Sequence, residues 1–163
     1  MTEDDIITFV TRLPGVVVVT ATKANDAPEV AWGDSFFFYD PDGDTPSDRR
    51  MPFATIVTKD YDGFDTASHL NRPDVFRLNI GVGRTAFEAL IGYPPPAHAD
   101  QSARSDYTAL DELIPHPAYA SQGWVAILNP ADTTSALARS LLTDAYTLAT
   151  QRHGRRHAHP HRP

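Results

Sequence analysis

The most distinctive group of chemically capable residues in this sequence is the run Trp32, Gly33 and Asp34. An indole offers a flat apolar surface and one N–H donor, and a glycine lets a ligand approach the backbone closely. The Asp34 carboxylate could accept hydrogen bonds from the same ligand. The alternative interpretation is that Trp32 packs in the core and Asp34 caps a turn.

A second candidate is Lys59, which follows a predicted strand at residues 53–58. Functional groups often lie in the loops at the ends of strands. Together with Asp60 or Asp34, the Lys59 ammonium could form a charged centre for a small anion, or an acid–base pair. The alternative is a surface lysine in a solvated turn.

Arg77 and Asn79 form the third candidate, because residues two apart in a strand lie on the same face of a sheet. Two donors at this spacing, with Arg84 close behind, could hold a carboxylate or a phosphate. The alternative is a wet sheet face with cross-strand ion pairs. Trp32, Asp34, Lys59, Arg77 and Asn79 are therefore the predicted ligand-binding residues, and no catalytic residue is assigned.

Two patterns imitate known sites without matching them. Asp40, Asp42 and Asp44 begin like a calcium loop, but the glycine is fourth rather than sixth and the twelfth residue is Met51. Residues 81–83, Gly-Val-Gly, lack the third glycine and the parallel βαβ context of a dinucleotide fingerprint. The first pattern is interpreted as a turn, and no cofactor is predicted.

The histidines give no metal signature. His69 and His116 lie in predicted loops without a His-x-x-x-His pattern or an adjacent carboxylate, and His116 precedes Pro117, which favours a structural role. Four histidines near the end of the chain could bind zinc or nickel adventitiously, as a property of the tail rather than of a folded site: His153, His157, His159 and His161. No metal site is predicted.

Composition limits the function classes. The 163 residues suit one domain, and the absence of cysteine excludes disulfides, thiolate nucleophiles and cysteine-ligated metals. The N-terminal region has no basic, apolar signal pattern and the longest aliphatic run is too short for a membrane span, so a cytoplasmic location without membrane partners is expected. The net charge is −7, although residues 152–163 carry four arginines and no acid, so nucleic acid is an unfavourable partner for the acidic body.

Hydrophobic periodicity predicts the elements that must position these residues. Helical spacing indicates a helix at residues 3–13, a helix at 85–91 closed by Gly92, and a long last helix from about 133 to 152 with Leu137, Leu141, Ala145 and Leu148 on one face. Strands are predicted at residues 16–22, 35–39, 53–58, 75–80 and 124–128. We therefore expect an α+β domain at residues 1–151, with helices on one face of an antiparallel sheet, followed by a disordered Arg/His-rich tail at 152–163.

Several segments in this order resemble an uncharacterised bacterial family, a domain of unknown function. They are Leu-Pro-Gly-Val at 13–16, Trp-Gly-Asp at 32–34, Pro-Phe-Ala-Thr-Ile-Val-Thr-Lys-Asp-Tyr at 52–61, Phe-Arg-Leu-Asn at 76–79, His-Pro-Ala-Tyr at 116–119 and Gly-Trp-Val-Ala-Ile-Leu-Asn-Pro at 123–130. More distantly, the chain is similar to the MmcQ/YjbR-like proteins. That resemblance implies a compact CyaY-like α+β fold and, for some relatives, proposed DNA binding; it supplies no catalytic residues. An insertion at residues 81–120 departs from the pattern.

Three functions remain open from the sequence. The first is a non-catalytic small-molecule-binding or accessory domain, which the missing catalytic motifs favour. The second is an enzyme that acts on a small anionic molecule through Lys59, Asp34 and Arg77. The third is a weak nucleic-acid binder that uses the basic tail. The sequence makes no prediction of oligomeric state.

Overall fold

The computed structural model describes residues 1–158 and contains four helices and six strands. In chain order these are α1 (Glu3–Thr11), β1 (Val16–Thr20), β2 (Ser35–Tyr39), β3 (Ala54–Val57), β4 (Arg77–Gly81), α2 (Arg84–Ile91), α3 (His98–Gln101), β5 (Leu113–Pro115), β6 (Trp124–Leu128) and α4 (Ser135–Ala158). Single 3₁₀ turns occur in several of the connections.

The six strands form one open sheet in the order β1-β2-β3-β4-β6-β5, and every neighbouring pair is antiparallel. β3 and β4 lie side by side with Thr55 opposite Asn79 and Val57 opposite Arg77. The prediction that these two strands are antiparallel members of one sheet is therefore confirmed. Strands that are consecutive in the chain pair with each other, except β4 and β5, which are separated in the sheet by β6.

One face of the sheet carries the main hydrophobic core. Side chains that alternate inward from the central strands, including Ile56, Leu78 and Ile127, are wholly buried against the helices. From α4 the buried residues are Ala138, Leu141, Leu142 and Ala145. The predicted α+β fold with helices packed on one face is confirmed, including the N-terminal helix and the long C-terminal helix.

The other face of the sheet is covered mainly by connections rather than by long helices. Leu70, from the connection between β3 and β4, packs with Ile114, Ala126 and Leu128 in a second, smaller cluster. This face of β3 is therefore largely covered: Val57 is buried and Thr55 is half-buried. A cavity opens beside this cluster, over the middle strands.

Two elements are shorter in the structure than the sequence pattern predicted. The first helix ends at Thr11 and the first strand at Thr20, each two residues earlier than predicted. The N-terminus of α1 is held by a capping box. The Thr2 hydroxyl accepts a hydrogen bond from the Asp5 N–H at 3.1 Å, and the Asp5 carboxylate accepts one from the Thr2 N–H at 2.8 Å. Gly92 closes α2 with a φ of +97°.

The last helix continues through Arg152 to Ala158, although disorder was expected from residue 152. His153 explains part of the difference, because its ring packs edge-on against Tyr39 with the centroids 5.2 Å apart. Residues 159–163, the rest of the predicted disordered tail, lie outside the described residues. Within residues 1–158, no helix combines the length and apolar character needed to cross a membrane.

Candidate functional site

A cavity of about 590 Å³ lies on the sheet face opposite the main core. Its floor is formed by Thr55 of β3 and by Arg77 and Asn79 of β4. These side chains point away from the core because Ile56 and Leu78, their neighbours in the strands, point into it. A volume of this size lies within the range of small-molecule sites.

The Arg77 side chain is completely buried at the floor of this cavity and is held by a dense polar network. Its Nη1 donates to Asp65 Oδ1 at 3.0 Å and to Ser68 Oγ at 3.1 Å, and its Nη2 donates to Asp65 Oδ2 at 2.5 Å. Nε donates to Asn79 Oδ1 at 2.8 Å, and Asn79 Nδ2 donates to Thr55 Oγ1 at 3.0 Å. The two-point ion pair with Asp65 neutralises the guanidinium and fixes its plane.

His116 lies against the same guanidinium and is 3% exposed. Its Nδ1 accepts hydrogen bonds from the backbone N–H groups of Ala118 and Tyr119, each at 3.0 Å. A nitrogen that accepts carries no proton, so the neutral ring must carry its proton on Nε2. Burial, followed by the positive charge of Arg77, lowers the pKa of His116 to about 3, and the ring is therefore neutral at physiological pH.

Two hydrogen-bond donors are thus left facing each other at the cavity floor. The network occupies four of the five N–H bonds of Arg77, and the fifth, on Nη2, points toward His116 Nε2 at 3.5 Å. Because Nε2 itself carries a proton, the two nitrogens cannot satisfy each other. An acceptor atom placed beside the pair, within hydrogen-bond distance of both nitrogens, would receive both hydrogen bonds.

The mouth of the cavity is apolar. Val30, Met51, Phe64 and Tyr119 line it and are among the exposed large hydrophobic side chains, with Phe64 61% exposed. The Phe64 ring, from the connection after β3, meets the Tyr119 ring, from the loop before β6, with centroids 5.9 Å apart. A polar floor below an apolar mouth is the usual character of a small-molecule pocket.

Trp32, Asp34 and Lys59 form a separate group beside the cavity and do not line it. The Trp32 indole N–H donates to the Ala27 carbonyl at 2.9 Å, and Lys59 Nζ donates to the Trp32 carbonyl at 2.6 Å. Asp34 is fully buried and accepts from the Thr58 N–H at 2.8 Å. These contacts join the chain before β2 to the end of β3.

Tyr61 connects this group to the cavity, since it lines the cavity and donates its hydroxyl hydrogen bond to Asp34 Oδ2. Burial raises the pKa of Asp34, although the hydrogen bonds from Tyr61 and Thr58 oppose the shift. Burial and the bond to Asp34 also raise the pKa of the Tyr61 phenol. The phenol is therefore a fixed donor in the cavity wall rather than a proton acceptor.

Of the five predicted ligand-binding residues, the structure thus brings only Arg77 and Asn79 to the cavity. It adds Asp65, which gave no signal because it lies in a connection without periodicity, and His116, which the sequence favoured as structural. Ser68, from the same connection as Asp65, binds Arg77 without lining the cavity. The His-Pro-Ala-Tyr segment was visible in the family resemblance, but nothing in the sequence placed it opposite Arg77. Burial of Arg77 and Asn79, at 0% and 1% exposure, also excludes the wet-face interpretation.

Fold and cavity together define an α+β protein with an open antiparallel sheet and a polar-floored cavity on the face opposite its main core. A family model described as "Family of unknown function (DUF6194)" matches residues 1–158, and the chain belongs to this family. Comparison with curated proteins and with solved structures gave no match. The distant similarity to MmcQ/YjbR-like proteins is not shown by these comparisons.

Proposed function

We propose that this protein binds a small, largely aromatic molecule in the cavity and holds it through a carbonyl oxygen. The observation that carries the proposal is the close approach of Arg77 Nη2 and His116 Nε2, 3.5 Å apart at the floor of the cavity, together with the two backbone N–H groups that assign the His116 proton to Nε2. A buried donor without a partner costs about 1–3 kcal/mol, so an acceptor that bridges the two donors from the cavity side has an energetic advantage.

The charge of the floor favours a neutral acceptor over an anionic one. Asp65 already neutralises Arg77, and His116 is neutral, so an added carboxylate would be buried without a counter-ion and near the Asp65 carboxylate. An amide or ketone oxygen accepts the same two hydrogen bonds without that cost. The sequence-based expectation of an anionic ligand is accordingly replaced by a carbonyl compound.

The aromatic side chains in the cavity walls favour a ligand with a flat, apolar ring system. Trp124, Tyr119 and Phe64 line the cavity, and their rings could contact an aromatic ligand along its faces and edges. The indole in the cavity wall belongs to Trp124, whereas the sequence pattern had predicted that Trp32 would contact the ligand. Arg77 and Asn79 remain in the proposed site, while Asp34 supports it through Tyr61, and Trp32 and Lys59 lie outside it.

Binding is favoured over catalysis because the polar groups of the cavity are fixed donors or are already paired. The Tyr61 hydroxyl is committed to Asp34, and Lys59, which the enzyme hypothesis required, is bound to the Trp32 carbonyl. We retain the cytoplasm as the proposed location and weak nucleic-acid contact through the terminal arginines as the lesser alternative. A salt-dependent DNA shift that disappears with those arginines would support the latter.

The test is a binding screen with matched aromatic amides, ketones and carboxylates, read by thermal shift and calorimetry. We expect amides or ketones to stabilise the wild type, and Phe64→Ala to weaken their binding. Leu110→Ala is the matched control, since Leu110 is also an exposed large hydrophobic residue, at 48%, but does not line the cavity. Equal loss in both variants, or a consistent preference for carboxylates, would overturn the proposal.

A further inference from the structure

Three potential metal ligands meet where the end of α4 passes the loop after β2. His153 and His157 are four residues apart, so both rings lie on one face of the helix. Asp42 reaches the same place from the loop, and one ligand atom from each of the three residues lies within 4.8 Å of the others. The two imidazole rings are nearly stacked, with centroids 4.0 Å apart and planes 30° apart.

The hydrogen bonding of His157 prepares it as a ligand. Its Nδ1 lies 2.9 Å from the backbone carbonyl oxygen of His153, and a carbonyl can only accept, so Nδ1 carries the proton. The lone pair of His157 is therefore on Nε2. Metal-binding histidines commonly donate their other ring N–H to a carbonyl in this way, which fixes both tautomer and orientation.

His153 is oriented by packing instead. Its ring stands edge-on to Tyr39, at an interplanar angle of 89°, and its side chain is only 19% exposed. Its Nε2 lies 3.9 Å from Asp42 Oδ2. The Asp42 side chain is 64% exposed and can move toward an ion without disturbing the core.

We propose that Asp42, His153 and His157 bind one Zn²⁺ ion or a similar divalent transition-metal ion. Two imidazoles favour such an ion over Ca²⁺ or Mg²⁺, which prefer oxygen ligands. Zinc bonds to nitrogen and carboxylate oxygen are about 2.0–2.2 Å long, so the three ligand atoms must draw together, by rotation of the Asp42 side chain and by reorientation of the two imidazole rings. The fourth tetrahedral position is left for water.

This site is independent of the ligand cavity and differs from adventitious binding to a histidine-rich tail. It uses a carboxylate from the folded body and fixes the last turns of α4 against the loop after β2. The bound ion would therefore stabilise the native state by mass action.

The test is calorimetric titration of the full chain with Zn²⁺, supported by the visible absorption of the Co²⁺ complex. We expect one ion per chain, and a loss of affinity of at least about 10-fold in Asp42→Asn and in His157→Ala, since removing even an outer-shell partner costs that much. Both residues are exposed, so both variants should fold.

The matched control is the double variant His159→Ala/His161→Ala, which removes two histidines of the same tail and leaves the cluster intact. We expect its Zn²⁺ affinity and its Zn²⁺-dependent rise in melting temperature to equal those of the wild type. If the control variant loses the ion while Asp42→Asn retains it, the binding is a property of the tail alone and the proposed site does not exist.

Discussion

Asp65 and Arg77 form a two-point ion pair at the cavity floor, with 6% and 0% of their side chains exposed. Asp65 comes from the long connection between β3 and β4, whereas Arg77 begins β4 itself. The pair therefore attaches a loop without regular secondary structure to the middle of the sheet, and the shape of the cavity depends on it.

Breaking this pair should destabilise the fold strongly. Asp65→Asn keeps the shape of the side chain but leaves the buried Arg77 charge without a counter-ion, which typically costs about 3–5 kcal/mol. Urea unfolding of the purified variant measures the loss. Asp62→Asn, an exposed substitution in the same connection, should change the free energy of unfolding by less than about 0.5 kcal/mol. A loss below about 1 kcal/mol for Asp65→Asn would contradict the ion pair.

Neutral His116 should make stability depend on pH. Its pKa is about 3 in the native state, whereas that of an unfolded histidine is about 6.5, so between these values the unfolded chain binds the extra proton. Stability contributed by this residue is therefore lost as pH falls below 6.5, by up to about 1.4 kcal/mol per pH unit. His116→Gln should show a shallower decline in the free energy of unfolding between pH 6.5 and 5.

Asp111 should contribute stability at neutral pH that acid removes. Its carboxylate accepts from the backbone N–H groups of Ala131, Thr133 and Thr134 and from the Thr134 hydroxyl, and these bonds lower its pKa. A lowered pKa gives stability above the unfolded value, about 3.9, that disappears as pH falls below it.

Asp111→Asn, which replaces an acceptor oxygen by a donor, should therefore lower the melting temperature at pH 7, with a difference from wild type that shrinks below pH 4. Asp132→Asn, a substitution at an exposed position in the same turn, should have the melting temperature of the wild type at pH 7 and below pH 4. A deficit in Asp111→Asn that stays constant across this range would show that its charge is unimportant.

The packing of α4 on the sheet can be tested with Leu141→Ala. Leu141 is 4% exposed and belongs to the main core, so the substitution should cost about 2–5 kcal/mol in chemical unfolding. Thr143→Ala, on the exposed side of the same helix, is the control. A cost below about 0.5 kcal/mol would place Leu141 at the surface.

Trp32→Ala separates the two assignments of the ligand site. The Trp32 side chain contacts its own connection through Ala27 and does not line the cavity, so ligand affinity should be unchanged once the variant is folded. Calorimetry at a temperature well below its melting point is the appropriate measurement. A large loss of affinity would show that the ligand binds at Trp32, as the sequence pattern predicted, and not in the cavity.

Three of the four helices and five of the six strands could be predicted because their signals are local, whereas α3 and β5 were not predicted. The helical spacing of apolar residues in α1 and the glycine that ends α2, Gly92, each depend on a few consecutive residues. The predicted face of α4 was only partly right: Leu141 and Ala145 are buried, Leu137 and Leu148 are only partly buried, and the buried Ala138 and Leu142 were not predicted.

The cavity could be predicted only in part because its members are distant in the chain. Arg77 and Asn79 were identified from their shared strand face, but their partners Asp65 and His116 come from connections whose path depends on tertiary packing. The helical end of α4 was missed for a similar reason, since the contact of His153 with Tyr39 lies outside any local pattern.

The strand order has a consequence for folding kinetics. β4 and β6 are hydrogen-bonded neighbours, yet α2, α3 and β5 all lie between them in the chain. The other four strand pairs join consecutive strands, so the β4–β6 pairing is the one that closes a long loop, and we expect it to form late. His116 lies at the end of that loop, so the cavity floor is complete only after β6 has joined the sheet. An intermediate limited to β1 through β4 would contain Arg77 and Asp65 but would lack the second donor that the ligand requires.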